Sequence, residues 1–299
     1  MTRDWPSAGP CHRRVTWSAP FNAATNGSPD REWITATRDG GLRVVWWDLA
    51  DKSVKMRASP DGGATWGEAT RLSGGGWGGP LVESPTNGTL ARALLPTGSR
   101  TIQVVRAANG SVTTFPIADA GGQTLIFPVA AYDAAGALYV AWSSGDVPSV
   151  KLARSLDDGV TWSAPQAIST PGHAALLPAI VAGAAGRLAL AWYEARVADL
   201  GPGSPNLWDV RLAESTDADA TAPAWAHATL TTTPAHVGAV CTSGAGCAPG
   251  ASDRTLGDLL EIRLLRGLPI VAYATDGPAR SESAQVYVGR VGAGTNLEG

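Results

Sequence analysis

Two Asp-Arg pairs carry the types needed to bind an acid: Asp30–Arg31 and Asp253–Arg254. Each precedes an apolar stretch, at the start of an expected inner strand. A guanidinium holds a carboxylate through two parallel N–H···O bonds, so two such groups converging on one point make a carboxylate site. The competing reading makes each pair a local salt bridge in a turn or between repeats. Tyr193, Glu194 and Arg196 bring a phenol, a carboxylate and a cation together in a second place. There the competing reading is structural: Tyr193 and Tyr273 are core aromatics, like Trp142 in its own repeat. The three Cys and four His do not have the count and spacing of a zinc site, and Cys11–His12 has nothing nearby to complete a ligand set. No metal and no cofactor is expected. Cys241 and Cys247 bracket the loop CTSGAGC; they form either a local disulfide, which favours an oxidising compartment, or two reduced thiols.

The elements that must position these groups repeat. Apolar runs ending in an aromatic recur at LRVVWWDL (42–49), ALYVAWSS (137–144), RLALAWYE (187–194) and LPIVAYAT (268–275). Gly-bearing turns precede them. Alternating segments follow: VKMRAS (54–59), IQVVRA (102–107), VKLARS (150–155), DVRLAES (209–215) and QVYVGRV (285–291). Alternation at period two is the mark of a strand with one buried face. Four strands per unit of about 40–50 residues is the blade of a β-propeller. Five units are readable, starting near residues 31, 80, 126, 176 and 258. The N-terminal TWSAPFNAA (16–24) matches the fourth strands of other units and is expected to close the ring on the last blade.

Between the third and fourth strands an octapeptide occurs twice, SPDGGATW (59–66) and SLDDGVTW (155–162). In each the Asp side chain is expected to accept turn N–H groups, the Gly to adopt positive φ, the Thr hydroxyl to close the turn and the Trp to plug it. Ser59, Asp61, Gly63, Thr65 and Trp66, with Ser155, Asp157, Gly159, Thr161 and Trp162, therefore read as a corner of the fold. A degenerate copy carries Ser215, Asp217 and Trp225.

The pattern S-x-D-x-G-x-T-W resembles the Asp-box, or bacterial neuraminidase repeat, of the sialidase superfamily, over residues 16–291. The resemblance implies an all-β, six-bladed propeller and an extracellular or cell-surface glycoside hydrolase acting on terminal acidic sugars. It implies Arg31, Arg196 and Arg254 as ligands of the substrate carboxylate, with Tyr193 beside them. It implies Asp30 or Asp253 as acid, and Glu194 paired with a Tyr nucleophile. Tyr193 and Glu194 are neighbours on one strand and point to opposite faces, so Tyr273 is the better partner. The family's early Arg-Ile-Pro motif is absent. Two other readings stay open: a non-catalytic propeller binding glycan or protein, and a polysaccharide-acting enzyme with a carboxylate acid and base. By topology the pocket lies on the face opposite the octapeptides.

Composition narrows the partners. Of 299 residues 44% are hydrophobic and 16% charged, and the net charge of −3 gives no general pull on nucleic acid or anionic lipid. The expected partner is a glycan or glycoconjugate, bound by a monomer. No apolar run reaches the length of a membrane helix, and the first residues lack a signal peptide's apolar core. Residues 1–15 are expected to be a poorly ordered extension, 16–291 one propeller and 292–299 a tail. Three Asn-Gly sequons, at Asn26, Asn87 and Asn109, read as turns.

Overall fold

The computed structural model describes residues 19–24, 26–121, 127–198, 206–241, 256, 260–276, 285–291 and 294–299. Among them are twenty-one strands and no helix. The first sheet is β1 (Pro29–Ala36), β2 (Leu42–Asp48), β3 (Ser53–Ser59) and β4 (Thr70–Gly74). In the second, β5 (Gly76–Gly78) and β6 (Val82–Glu83) share the inner edge of β7 (Leu90–Pro96). The sheet continues with β8 (Thr101–Ala108) and β9 (Ser111–Asp119). The third is β10 (Val129–Tyr132), β11 (Leu138–Ser144), β12 (Ser149–Ser155) and β13 (Gln166–Ala167). The fourth is β14 (Ala175–Ala182), β15 (Leu188–Ala195) and β16 (Leu207–Ser215), whose outer edge is covered by β17 (Ala226–Thr229) and β18 (His236–Val237). The fifth is β19 (Glu261–Leu265), β20 (Leu268–Thr275) and β21 (Gln285–Arg290). All pairings are antiparallel, and all but β5–β7 and β16–β18 join neighbours in sequence, the meander of a propeller blade.

Successive blades are sealed by apolar layers. Val45, Leu94 and Val105 join the first to the second, and Val104, Leu138 and Trp142 the second to the third. Tyr139, Leu190 and Trp192 join the third to the fourth, and Tyr193, Trp208, Ile262 and Tyr273 the fourth to the fifth. The alternation in sequence supplies these layers directly: in β12, Val150 and Leu152 are buried while Lys151 and Arg154 are half-buried. The inner strands of all five blades line one cavity of about 590 Å³, which places them around a common axis.

The described residues form five sheets, matching the five units readable in the sequence; a sixth blade of the family pattern has no sheet among them. One expectation needs correction. The N-terminal segment does not complete the fifth sheet with residues 19–24, which contain no strand. Phe21 instead stacks on Trp66 at 5.5 Å, with the Arg57 guanidinium 5.4 Å from its ring, so an aromatic and cation–π contact fixes it against the first blade. Residues 16–18 of that segment lie outside the described residues.

At the octapeptide corners, Asp61 accepts the Thr65 amide (2.8 Å), the Thr65 hydroxyl (2.7 Å) and the Ser59 hydroxyl (2.9 Å). Asp157 accepts the same groups from Thr161 and Ser155. The Trp66 and Trp162 indoles each donate to the carbonyl of Gly63 or Gly159 at 3.1 Å. Gly63 and Gly159 have φ of 99° and 86°, a region a Cβ would penalise. The degenerate corner keeps the Ser215–Asp217 bond but its Trp225 indole has no acceptor. Hydrogen bonds from the Thr65 amide and hydroxyl lower the Asp61 carboxyl. Partial burial raises Asp157, but the Thr161 hydroxyl and amide outweigh it and hold that carboxyl at about 2. A depressed folded value stabilises above the ordinary carboxyl value of 3.8 and is lost as pH falls towards 2. The melting temperature should therefore drop between pH 4 and 2, and Asp157→Asn should flatten that drop while lowering stability at pH 7. Thermal melts across pH check both; an unchanged acid limb in the variant contradicts the assignment.

Candidate active site

The meander puts the octapeptides and the first-to-second strand turns on one face. The second-to-third loops and the blade connections share the other. On that second face the inner strands of three blades break register at one height. In β1 the break falls between the pairs Asp30↔Trp47 and Trp33↔Val45; in β14 it falls between Leu176↔Tyr193 and Ala179↔Ala191. In the second blade it separates Gly78↔Leu94 from Val82↔Ala91. Such bulges bend a strand and re-aim its side chains. Arg31 and Leu177 adopt left-handed φ of 57° and 58° within them, a strained choice for non-glycine residues.

The bulge in β1 sends Arg31 between two rings. Its guanidinium carbon lies 4.4 Å from the Trp77 ring and 4.4 Å from the Phe127 ring. Trp77 and Phe127 stand 6.3 Å apart, Trp33 and Phe127 also 6.3 Å, and Trp47 and Trp77 5.7 Å. Arg31 Nε is 3.3 Å from Asp30 Oδ2; the two side chains are 16% and 44% exposed. Four aromatic rings and one cation thus meet where three blades abut, and Trp33 and Phe127 also line the axial cavity.

Beneath this cluster sits a second cation. Arg92 is 1% exposed, and its Nε and Nη2 donate to the carbonyls of Gly79 (2.7 Å) and Gly78 (2.9 Å). Its Nη1 has no partner, and no carboxylate is paired with it among the described residues. Burial pulls its pKa down to about 10. The sequence reading passed over Arg92 and the aromatic cluster. The signals were present: a lone charge inside the apolar run LARALLP, and a Trp embedded in GGGWGG.

The other expected residues separate. Tyr193 is fully buried; its hydroxyl donates to the Ala274 carbonyl at 2.9 Å and accepts its amide at 2.8 Å. Burial raises its pKa, as it raises that of Tyr273, which is 8% exposed and stacked on Tyr287. Among the described residues neither phenol has the adjacent base of a nucleophile, neither has a lowered pKa, and Tyr193 offers no surface to a ligand. Glu194 is 4% exposed and accepts Thr170 N, Thr170 Oγ1 and Trp192 Nε1, with Arg211 Nε 3.5 Å away. That pair recurs at the same register as Asp48–Lys55 (2.8 Å) and Ser144–Lys151 (3.2 Å). A contact repeated in three blades belongs to the framework, so Glu194 is corrected from catalytic partner to blade strut. Arg196 is held bidentately by Asp209 at 2.8 and 3.1 Å. Asp253, Arg254 and Cys247 lie outside the described residues; Cys241 is disulfide-bonded. No three His, Cys, Asp or Glu side chains gather as metal ligands among the described residues.

No family model matches the chain, and no curated protein matches it by sequence. Among solved structures it is similar to a protein of unknown function from Dyadobacter fermentans. That match has TM-score 0.56 and 13% identity, over 90% of this chain and 77% of the other. It is also similar to the GH93 α-L-arabinofuranosidase of Fusarium graminearum, solved with arabinobiose. There the TM-score is 0.52 and the identity 14%, over 88% of this chain and 93% of the other. The intramolecular trans-sialidase of Ruminococcus gnavus gives TM-score 0.49 at 13% identity, and the chain spans half of that protein. At these identities the likeness is one of fold, and the fold is a β-propeller.

Proposed function

We propose that this chain is a glycoside hydrolase acting on glycan chain ends at the axial mouth opposite the octapeptides. The observation that carries the reading is the Arg31 guanidinium held between Trp77 and Phe127 beside the axial cavity. Sugar rings stack their C–H faces on aromatic rings, and a charged donor in a partly desolvated site fixes hydroxyls or a carboxylate. A cavity of about 590 Å³ is within the usual range for ligand sites. A glycosidase of like fold, the arabinofuranosidase, adds support at the level of architecture. The finer reading, an acidic terminal sugar of the sialidase kind, draws on the octapeptides as Asp-boxes. It draws also on Arg92, a buried cation without a carboxylate just below the Trp77–Gly79 segment. The disulfide at Cys241 accords with an extracellular site of action.

A second reading, glycan binding without turnover, is favoured by one observation: Tyr193 and Glu194 are both committed to the framework. A panel of fluorogenic glycosides, an α-sialoside and an α-L-arabinofuranoside among them, separates the two. Turnover of at least one member is expected. Binding without turnover, read by calorimetry, supports the second reading; absence of both across pH 4–8 overturns the proposal.

A further inference from the structure

Trp77 lies in β5 and Phe127 just before β10, so the two rings that flank Arg31 come from neighbouring blades. One segment joins them. Gly79 follows β5, and its amide donates to the Pro128 carbonyl at 3.0 Å, beside Phe127. The register break of the second blade leaves Gly79, Pro80 and Leu81 without partners on β7. Arg92 holds the segment instead: Nε donates to the Gly79 carbonyl at 2.7 Å and Nη2 to the Gly78 carbonyl at 2.9 Å. The approach is close on both sides. A Cβ on Gly78 would lie 3.1 Å from Arg92 Cζ, and one on Gly79 would lie 2.9 Å from the Pro128 carbonyl oxygen. Pro80 and Leu81 continue along the axial cavity, where the Leu81 carbonyl accepts the Thr35 hydroxyl of the first blade at 2.8 Å.

We propose that Arg92 is the positioning residue of the aromatic mouth. It fixes the Gly78–Gly79 peptide, and that peptide aims Trp77 directly and Phe127 through Pro128, so that both rings meet Arg31. Arg92 is 1% exposed and does not line the axial cavity, so its route to a ligand runs through this segment. Burying a cation without a carboxylate is costly, and an apolar side chain would fill the same space at lower desolvation cost. What the guanidinium adds is its fork: two N–H groups in fixed geometry, matched here to two successive carbonyls. Its charge also draws an acid through space, so the effect on an acidic ligand is the larger, but a neutral ligand depends on the same rings.

The role rests on the mouth being the ligand site, and a ligand-free readout tests it separately. In a crystal structure of the intact Arg92→Met chain, at least one of the Trp77 and Phe127 rings should leave the range of about 6 Å from the Arg31 guanidinium. Both rings unmoved overturns the assignment, whatever the ligand. Arg92→Met should also weaken binding of the α-L-arabinofuranoside and the α-sialoside of the panel, by about 10-fold for the neutral one. The double variant with Trp77→Ala should lose clearly less than the product of the two single losses, because Arg92 acts through that ring. A purely structural strut gives the full product and overturns the role. A loss confined to the acidic glycoside overturns it too, by making Arg92 a direct partner of the substrate carboxylate. Arg92→Lys keeps the charge without the fork and should lose nearly as much as methionine; parent affinity in that variant overturns the assignment. A parent chain that binds neither glycoside overturns the reading of the mouth, and the ring positions then decide the role of Arg92 alone.

Discussion

Replacing Asp158 with alanine is expected to destabilise the protein by about 3–5 kcal/mol, the cost of breaking a largely buried ion pair from one side. Asp158 occupies the fourth position of the second octapeptide, where the first has Gly62. Its left-handed φ of 60° turns the carboxylate out of its own corner and towards the second blade. One oxygen accepts the Tyr132 hydroxyl at 2.6 Å. The other meets the Arg106 guanidinium, the Thr89 hydroxyl at 3.1 Å and the Asn87 amide at 3.2 Å. Four donors from two blades thus converge on one side chain that is 19% exposed. Alanine leaves the Arg106 charge, itself 16% exposed, without its counterion. It also leaves the Tyr132 phenol without its acceptor. The urea midpoint should fall with the slope m unchanged, which marks a change in stability rather than in the surface exposed on unfolding. Asp158→Asn, which keeps the shape and one acceptor, should lose less. A loss below about 1 kcal/mol for alanine would place this contact among ordinary surface ion pairs and contradict its role as a latch.

Arg31→Ala should lower glycan affinity, or kcat/KM where turnover is measured, by about 100-fold, or about 2.7 kcal/mol. The estimate combines one charged hydrogen bond to the ligand with the loosening of the two rings that Arg31 separates. Arg31→Lys should fail nearly as badly, because an ammonium neither stacks between two rings nor presents a planar fork. Some stability should also be lost, since the side chain is 16% exposed and packed between two rings, so melting temperature is read beside affinity. Tyr273→Phe should leave the rate unchanged, because that phenol is buried and stacked on Tyr287. Calorimetry and initial rates check these together. A Tyr273→Phe protein that is inactive while Arg31→Ala works would restore the tyrosine mechanism.

Much of the scaffold was legible because propeller blades are local. ALYVAWSS contains β11 (Leu138–Ser144) and VKLARS lies within β12, since period-two burial writes itself into consecutive residues. The octapeptides were readable because the hydrogen bonds among their shared Ser, Asp, Gly, Thr and Trp close within a few residues. The site was less legible because its contacts cross blades. Arg31, Trp77 and Phe127 come from three separate repeats, and only the bulge in β1 brings the guanidinium between the rings. Glu194 was misread for a related reason: adjacency to Tyr193 in sequence suggested shared chemistry, while the cross-strand pair with Arg211 decides its role. A trace of that pair was visible, since VKMRAS, VKLARS and VRLAES all place a cation at the same position of the third strand. The N-terminal strand match misled because its text is a fourth-strand text, yet Phe21 is captured by Trp66 and Arg57.

The central claim is that ligand engages the axial mouth opposite the octapeptide face. A crystal structure of the chain with a bound oligosaccharide drawn from the turnover panel tests it most directly. The account predicts a terminal sugar ring in the axial cavity, in contact with Trp33 or Phe127. A sugar bound on the octapeptide face with the cavity empty would contradict it.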